Sequence, residues 1–234
     1  MHMTNGKQIQ MVMRDMLFIT WAVEPEVLRD KVNSKLSLDT RADSSGRPRA
    51  FVSAVCFRVD EMRSSVLSLP RVSFEQVNYR AYSTGDGTPS VCFLDMRVNS
   101  RLVATLTGFL RVPISYEDIA INTTSAGSQL YTFDSPGLRV RAVVGEQHNA
   151  GADPPISSDF ITHRLVGYAA AGDNVFKIEV EHARMETRAA RIEDVRAPRL
   201  EQIGLLTGEQ SAHPHSALYV RESVFGTNPP ARAW

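Results

Sequence analysis

The sequence predicts a mainly β fold, a closed barrel or sandwich with a few short helices at its edge. Three observations carry this expectation. Eight segments rich in Val, Phe, Tyr, Leu and Thr alternate with turn-forming residues. Helical spacing of apolar residues is confined to three short stretches. The 234 residues are 43% hydrophobic and 22% charged, enough for one substantial core. No repeat, low-complexity tract or composition break divides the chain, so a single domain over residues 1–234 is expected.

In chain order, "EPEVLRDKVNSKL" (24–36) has an early Pro25 and places Val27, Leu28, Val32 and Leu36 at helical spacing. Strands are expected at "AFVSAVCFRVDEM", "VSFEQVNYRAY", "SVCFLDMRV" and "RLVATLTGFLRV", then at "QLYTF", "LRVRAVVG", "NVFKIEVEHARME" and "SALYVRESVFG". The turns are "DSSGRP", "TGDGTPS", "NSR", "DSPG" and "AAGDN". "TGDGT" is a hairpin signal, because Asp-Gly tolerates the positive φ of tight turns. "EQHNAGADPPISS" (146–158) is a loop that could flank a site. Helices are expected at "SSDFITHRLVGY", whose opening Ser and Asp suit an N-cap and which would bury Phe160, Ile161, Leu165 and Tyr168, and at "PRLEQIGLLTG", stopped by Gly208.

Several functions are excluded at once. Lys+Arg equals Asp+Glu, which gives no electrostatic footprint for nucleic acid or an anionic membrane. No apolar run approaches the ~20 residues of a membrane helix, and the N-terminus does not read as a secretory signal. Cys56 and Cys92 make no disulfide framework or zinc spacing, so reduced thiols in a cytoplasmic protein are expected. Phosphate loops, dinucleotide fingerprints and nucleophile elbows are missing.

Among chemistry-bearing residues, the six histidines are dispersed. His213 and His215 flank Pro214 without an evident third ligand, and no metal is expected. His182 shares a strand face with Phe176, Ile178 and Val180, the setting of a hydrogen-bonded core histidine; His148 and His163 read as exposed loop and helix positions. Lys177, Glu179 and Glu181 alternate on the opposite face; outward they read as solvated surface, the favoured reading, and inward as a buried amine with carboxylates, the arrangement that tunes a Schiff-base lysine or an acid–base pair. The stretch 72–82 is less regular. Gln76, Asn78, Arg80 and Tyr82 share a face with Phe74, so the face is either a surface ladder of polar pairs or the wall of a binding cavity. Phe93, Asp95 and Arg97 alternate on the neighbouring strand, where Asp95 could pair with Arg80.

The whole chain resembles the YqjF-like bacterial proteins of the acetoacetate-decarboxylase-like superfamily. The likeness rests on Arg14, Asp15, Leu17, Phe18, Trp21, Pro25, Leu28, Leu36, Leu38 and Asp39 in the opening segment. The family stretch Phe-x-Glu-x-Asn-x-Arg-x-Tyr is matched by Phe74, Asn78, Arg80 and Tyr82, with Gln76 in place of Glu. Leu94, Asp95, Pro113, Arg164, His182 and "PHSALY" follow as landmarks. The resemblance implies a cone-shaped, largely antiparallel β-barrel with a small ligand inside, which places the polar face of 72–82 inward.

The resemblance also limits the chemistry. The decarboxylase branch uses a lysine after a Gly-x-Pro turn, its pKa lowered by a second lysine. Here the matching turn is Pro113-Ile114-Ser115, and the four lysines (Lys7, Lys31, Lys35 and Lys177) are not adjacent. The expectation is therefore a binder of a small organic acid or carbonyl compound, with no cofactor. Gln76, Asn78, Arg80, Tyr82 and His182 would contact the ligand. An enzyme would act without a Schiff base, through Arg80 and Asp95, with enolate stabilisation by Arg80; the alternative is a non-catalytic binder or sensor. A homo-oligomer is compatible with the sequence.

Overall fold

The computed structural model describes residues 8–65, 72–109, 112–124, 129–145, 152–171 and 174–234. Its strands and helices run β1 (Ile9–Val23), α1 (Pro25–Arg29), β2 (Ser37–Leu38), β3 (Arg41–Ala42), β4 (Pro48–Ser64), β5 (Val72–Gly85), β6 (Thr88–Val98) and α2 (Arg101–Phe109). They continue as β7 (Ile114–Tyr116), β8 (Ala120–Thr124), β9 (Gln129–Asp134), β10 (Arg139–Val144), α3 (Ser158–Thr162), β11 (Val166–Ala171) and β12 (Asn174–Glu181). The last are β13 (Thr187–Arg196), α4 (Pro198–Gln202), α5 (Gly208–Ala212), β14 (Ser216–Thr227) and β15 (Ala231–Arg232). The protein is mainly β, as the sequence predicts.

The strands form one hydrogen-bonded system in the order β12-β11-β6-β5-β4-β1-β14-β13-β10-β9-β8, with short strands at its edges. β12 also pairs with β14 through Val180–Thr227 and Glu181–Gly226, which closes β12, β11, β6, β5, β4, β1 and β14 into a ring over only two residue pairs. The same edge of β14 carries β13 further along, opposite Leu218–Val220. There the sheet branches, and β13, β10, β9 and β8 fold over the outside of the ring.

This branch explains the long apolar runs in β1 and β4. A strand covered on both faces loses the alternation of a half-exposed one. Leu17, Ile19 and Trp21 face outward, with Ala54 and Cys56, into a core shared with Tyr131, Phe133, Leu200 and Leu205. Met16, Phe18, Val55 and Phe57 face inward with Phe74 and Phe225. Register shifts in β1 (Val12/Met13 and Arg14/Leu17) and in β4 (Val59/Met62) add the local bends that let long strands curl. Asp15 lies in the second of these with a positive φ of 50°, a conformation Asp tolerates better than most residues.

Asp15 opens a half-buried polar cluster between the ring and the overlying sheet. Arg58 pairs with Asp15 and Glu75, each at 3.1 Å, and donates to the Ile121 carbonyl at 2.9 Å. Glu75 also accepts from Asn99 Nδ2 and the Ile121 amide, both at 3.2 Å. The Tyr219 hydroxyl donates to Asp15 at 2.7 Å, and burial together with that carboxylate pushes its pKa up to about 12.

One strand expectation and three helical ones are corrected. "RLVATLTGF" is a helix rather than a strand: a short apolar run is ambiguous in period, and Ser100 supplies the capping oxygen to the Val103 amide at 3.3 Å. The helix capped by Ser157 buries Phe160 and Ile161 but ends at Thr162, and Leu165 and Tyr168 lie beyond it, Tyr168 in β11. In "PRLEQIGLLTG" the stop is Gly204, at φ 75°; Gly208 instead begins α5, behind a capping box formed by Thr207 and Gln210. The helix expected over 24–36 covers only Pro25–Arg29. The Asp-Gly hairpin forms as expected, with Asp86 at φ 50° and Gly87 at φ 73°.

Candidate functional site: an apolar cavity with one unpaired guanidinium

The ring encloses a cavity of about 230 Å³. β5 contributes Phe74, Gln76, Asn78 and Arg80 to its wall, the alternate residues of the irregular stretch, so that face looks inward. Gln76 is 7% exposed, and its Nε2 donates to Asn78 Oδ1 at 2.6 Å. The two amides share one bond, so a carbonyl oxygen on Gln76 and an NH2 on Asn78 keep hydrogen-bonding capacity.

Arg80 is the most consequential wall residue. One of its five donors is used: Nη2 donates to the Ile161 carbonyl at 2.6 Å. Its Nε is buried without a partner, and its guanidinium lies 5.4 Å from the Phe18 ring centroid and 5.5 Å from that of Tyr82. Among the described residues no carboxylate pairs with it. Arg164, 6% exposed on the same cavity, differs: it pairs at 2.9 Å with Asp39, a carboxylate shared with Arg41 at 2.5 Å, and its Nε donates to the Phe160 carbonyl at 2.8 Å.

Tyr82, expected beside Arg80 as a ligand contact, is fully buried and does not line the cavity. Its hydroxyl joins Ser53 and Thr20 in a chain of buried hydroxyls at 2.7 Å each, and its ring stacks on Phe160 at 4.9 Å. The expected Asp95–Arg80 pair does not form. Strict alternation would put Asp95 on the face of Phe93, but β6 slips by one residue at Leu94: Arg80 is opposite Phe93, whereas Tyr79 is opposite Asp95. Phe93 and Met96 therefore line the cavity, and Asp95 turns outward to Arg97 at 2.8 Å and Arg199 at 2.5 Å.

His182 lies just past β12 and lines the cavity. Its Nδ1 is 2.8 Å from the Ala183 carbonyl, which makes Nδ1 the protonated nitrogen of the neutral ring and leaves the Nε2 lone pair free of that bond. Burial holds its pKa below the ordinary 6.5, with His163 and Arg80 acting in the same direction. His163 is not the exposed helix position expected: it caps α3 edge-on to His182, at 5.6 Å, with Nδ1 buried. A folded-state pKa below 6.5 means the unfolded chain binds more protons in that window. His182 therefore contributes stability above pH 6.5 that is lost as pH falls through its lowered pKa. Melting curves from pH 5 to 8 should show that loss for the wild type and a flatter profile for His182→Gln.

The remaining wall is mostly apolar, and one glycine shapes it. A Cβ on Gly167 would stand 2.5 Å from Phe93 Cε2, so the bare backbone of β11 lets the Phe93 ring lie flat against it. Gly167→Ala should cost about 1–3 kcal/mol by overpacking, read as a lowered denaturant midpoint. His215 Nε2 is 2.8 Å from the Pro154 carbonyl, and no metal cluster of three ligands occurs among the described residues. Lys177 pairs with Glu179 at 2.7 Å on the outer face, at 38% and 56% exposure. No lysine or carboxylate lines the cavity among the described residues. Lys7 and His148 lie outside those residues. The sequence reading missed Arg164 and His163 as cavity neighbours, because neither belongs to a periodic pattern.

A closed ring with an internal cavity and a branch sheet outside defines an acetoacetate-decarboxylase-like fold. The structure is similar to acetoacetate decarboxylase from Legionella pneumophila, with a TM-score of 0.66 at 8% identity, covering 97% of this chain and 87% of that one. It is also similar to the enduracididine biosynthesis enzyme MppR complexed with pyruvate (TM-score 0.60, 12% identity, 98% and 91% covered). An acetoacetate-decarboxylase-like enzyme from Sphingomonas wittichii gives a TM-score of 0.58 at 12% identity, with 97% and 93% covered. At these identities the likeness is one of fold. In sequence, residues 10–223 match the family of uncharacterized conserved proteins DUF2071, and the chain belongs to that family. It is 32% identical over 108 residues to the uncharacterized protein YqjF of Bacillus subtilis, a match spanning 45% of this chain and 43% of that protein.

Proposed function

We propose that this protein binds a small organic acid or carbonyl compound inside the ring, with Arg80 as the anion anchor and Gln76, Asn78 and His182 completing the polar patch. The supporting observation is a guanidinium without a carboxylate partner among the described residues, on a largely apolar wall. A buried charge is costly unless paired, and an anionic ligand would supply the missing partner in the bidentate geometry that Arg favours. MppR, of similar fold, is described in complex with pyruvate. We treat residues 1–234 as one domain, in keeping with the continuous strand system. A cytoplasmic setting is part of the proposal; Cys56 and Cys92 are both free thiols, and no described helix is long and apolar enough to cross a membrane.

The test is a thermal-shift comparison of carboxylic and keto acids against their amides. Stabilisation by the acids and none by the amides is expected; no shift with any acid overturns the reading. A catalytic reading is favoured by one observation, the neutral His182 with its Nε2 lone pair beside a guanidinium able to stabilise an enolate. It requires deuterium exchange at the α-carbon of a bound keto acid, and its absence leaves a binder.

A further inference from the structure

We infer that the cavity is built for an amphipathic monocarboxylate, an aryl or medium-chain acid of about nine non-hydrogen atoms, rather than for a short polar keto acid. The inference rests on the reading of Arg80 as an anion anchor and adds what the rest of the ligand must be.

Charge comes first. Two guanidinium groups reach the cavity; Asp39, shared with the more exposed Arg41 at 2.5 Å, faces that of Arg164 at 2.9 Å, which leaves Arg80 as the cavity guanidinium without a carboxylate partner among the described residues. One such charge matches a monoanion; a dicarboxylate or phosphate monoester would bring a second negative charge without a partner.

The apolar wall sets the body of the ligand. Apart from the patch of Gln76, Asn78, Arg80, Arg164, Thr162 and His182, the cavity side of the ring is mostly hydrocarbon and thioether. Met11, Met13, Met16, Met62, Met96 and Met185 all line it, together with five phenylalanines. Methionine side chains are flexible and polarizable, so such a wall fits apolar bodies of varied shape. A pyruvate-sized ligand would satisfy Arg80 and leave most of that wall facing empty or poorly hydrogen-bonded space.

Volume sets the size. An apolar cavity of about 150 Å³ takes a benzene ring. Scaled to that, 230 Å³ holds about nine non-hydrogen atoms, the size of benzoate or heptanoate. The head would lie at Arg80 and Asn78, and the body against Met16, Phe57, Phe74 and Phe93.

The experiment is isothermal titration of the full chain at pH 7.5 with acetate, butyrate, hexanoate, octanoate and decanoate, alongside benzoate, pyruvate and benzyl alcohol. Dissociation constants should fall about fourfold per methylene up to seven or eight carbons and then level off or rise. Benzoate should bind at least tenfold more tightly than both pyruvate and benzyl alcohol. Phe93→Ala should move the optimum to longer chains, and the wild-type series decides the question even if that variant does not fold. A flat chain-length series, or pyruvate binding as tightly as benzoate, overturns this inference and leaves the anion anchor standing. No binding by any acid overturns both. Benzyl alcohol matching benzoate overturns the role given to Arg80.

Discussion

Arg80→Ala is expected to abolish ligand-induced thermal stabilisation while leaving the ligand-free protein as stable as the wild type or more so. The two halves of that result come from one geometry. With ligand bound, truncating one partner of a desolvated charge pair costs about 2–5 kcal/mol, a loss of roughly 30-fold or more in affinity. Among the described residues Arg80 donates only to the Ile161 carbonyl and holds Nε buried without a partner, so its removal relieves a buried charge. Arg80→Lys should fall between, because it keeps the charge and loses the planar fork. Stability that falls by several degrees without ligand would identify Arg80 as a structural residue, and ligand shifts unchanged in the alanine variant would remove it from the site.

Glu75→Ala should be the most destabilising single change outside the apolar core. It removes the acceptor shared by Arg58, Asn99 and the Ile121 amide and leaves Arg58 with Asp15 alone as its carboxylate partner. Breaking a buried ion pair typically costs 3–5 kcal/mol. Arg58 is 32% exposed and Glu75 15%, so about 3 kcal/mol is expected, which for a chain of this size lowers Tm by roughly 6–12 °C. Glu75→Gln, which keeps two acceptor positions at most, should recover part of that loss. A Tm within 2 °C of wild type for Glu75→Ala would show that the branch sheet is held by apolar packing alone.

Glu75 also shows what the sequence could and could not reveal. Alternation alone sets it on the face opposite Phe74 and Gln76, and the structure turns that face outward. The inward direction of Gln76, Asn78 and Arg80 was not decidable by spacing, because a polar strand face looks the same toward water and toward a cavity. Asp95 was misplaced because a one-residue slip leaves no mark in composition: Leu94 reads like any strand residue. "RLVATLTGF" was misread for a related reason, since a short run of apolar and β-branched residues satisfies both periods until Ser100 caps the helix. Arg164 was legible as a family landmark but not as a cavity residue, because what separates it from Arg80 is its partner, which the sequence does not show.

The Leu94 slip has a consequence for the whole interior. It sorts acidic from basic groups across the wall of the ring: Asp95 lies outside with Arg97 and Arg199, and Arg80 inside without a counter-charge. With regular pairing, a carboxylate would share the inner face with Arg80, and the cavity would be electrically neutral. The separation of charge across the ring wall thus comes from a single extra residue in a strand and not from the guanidinium itself.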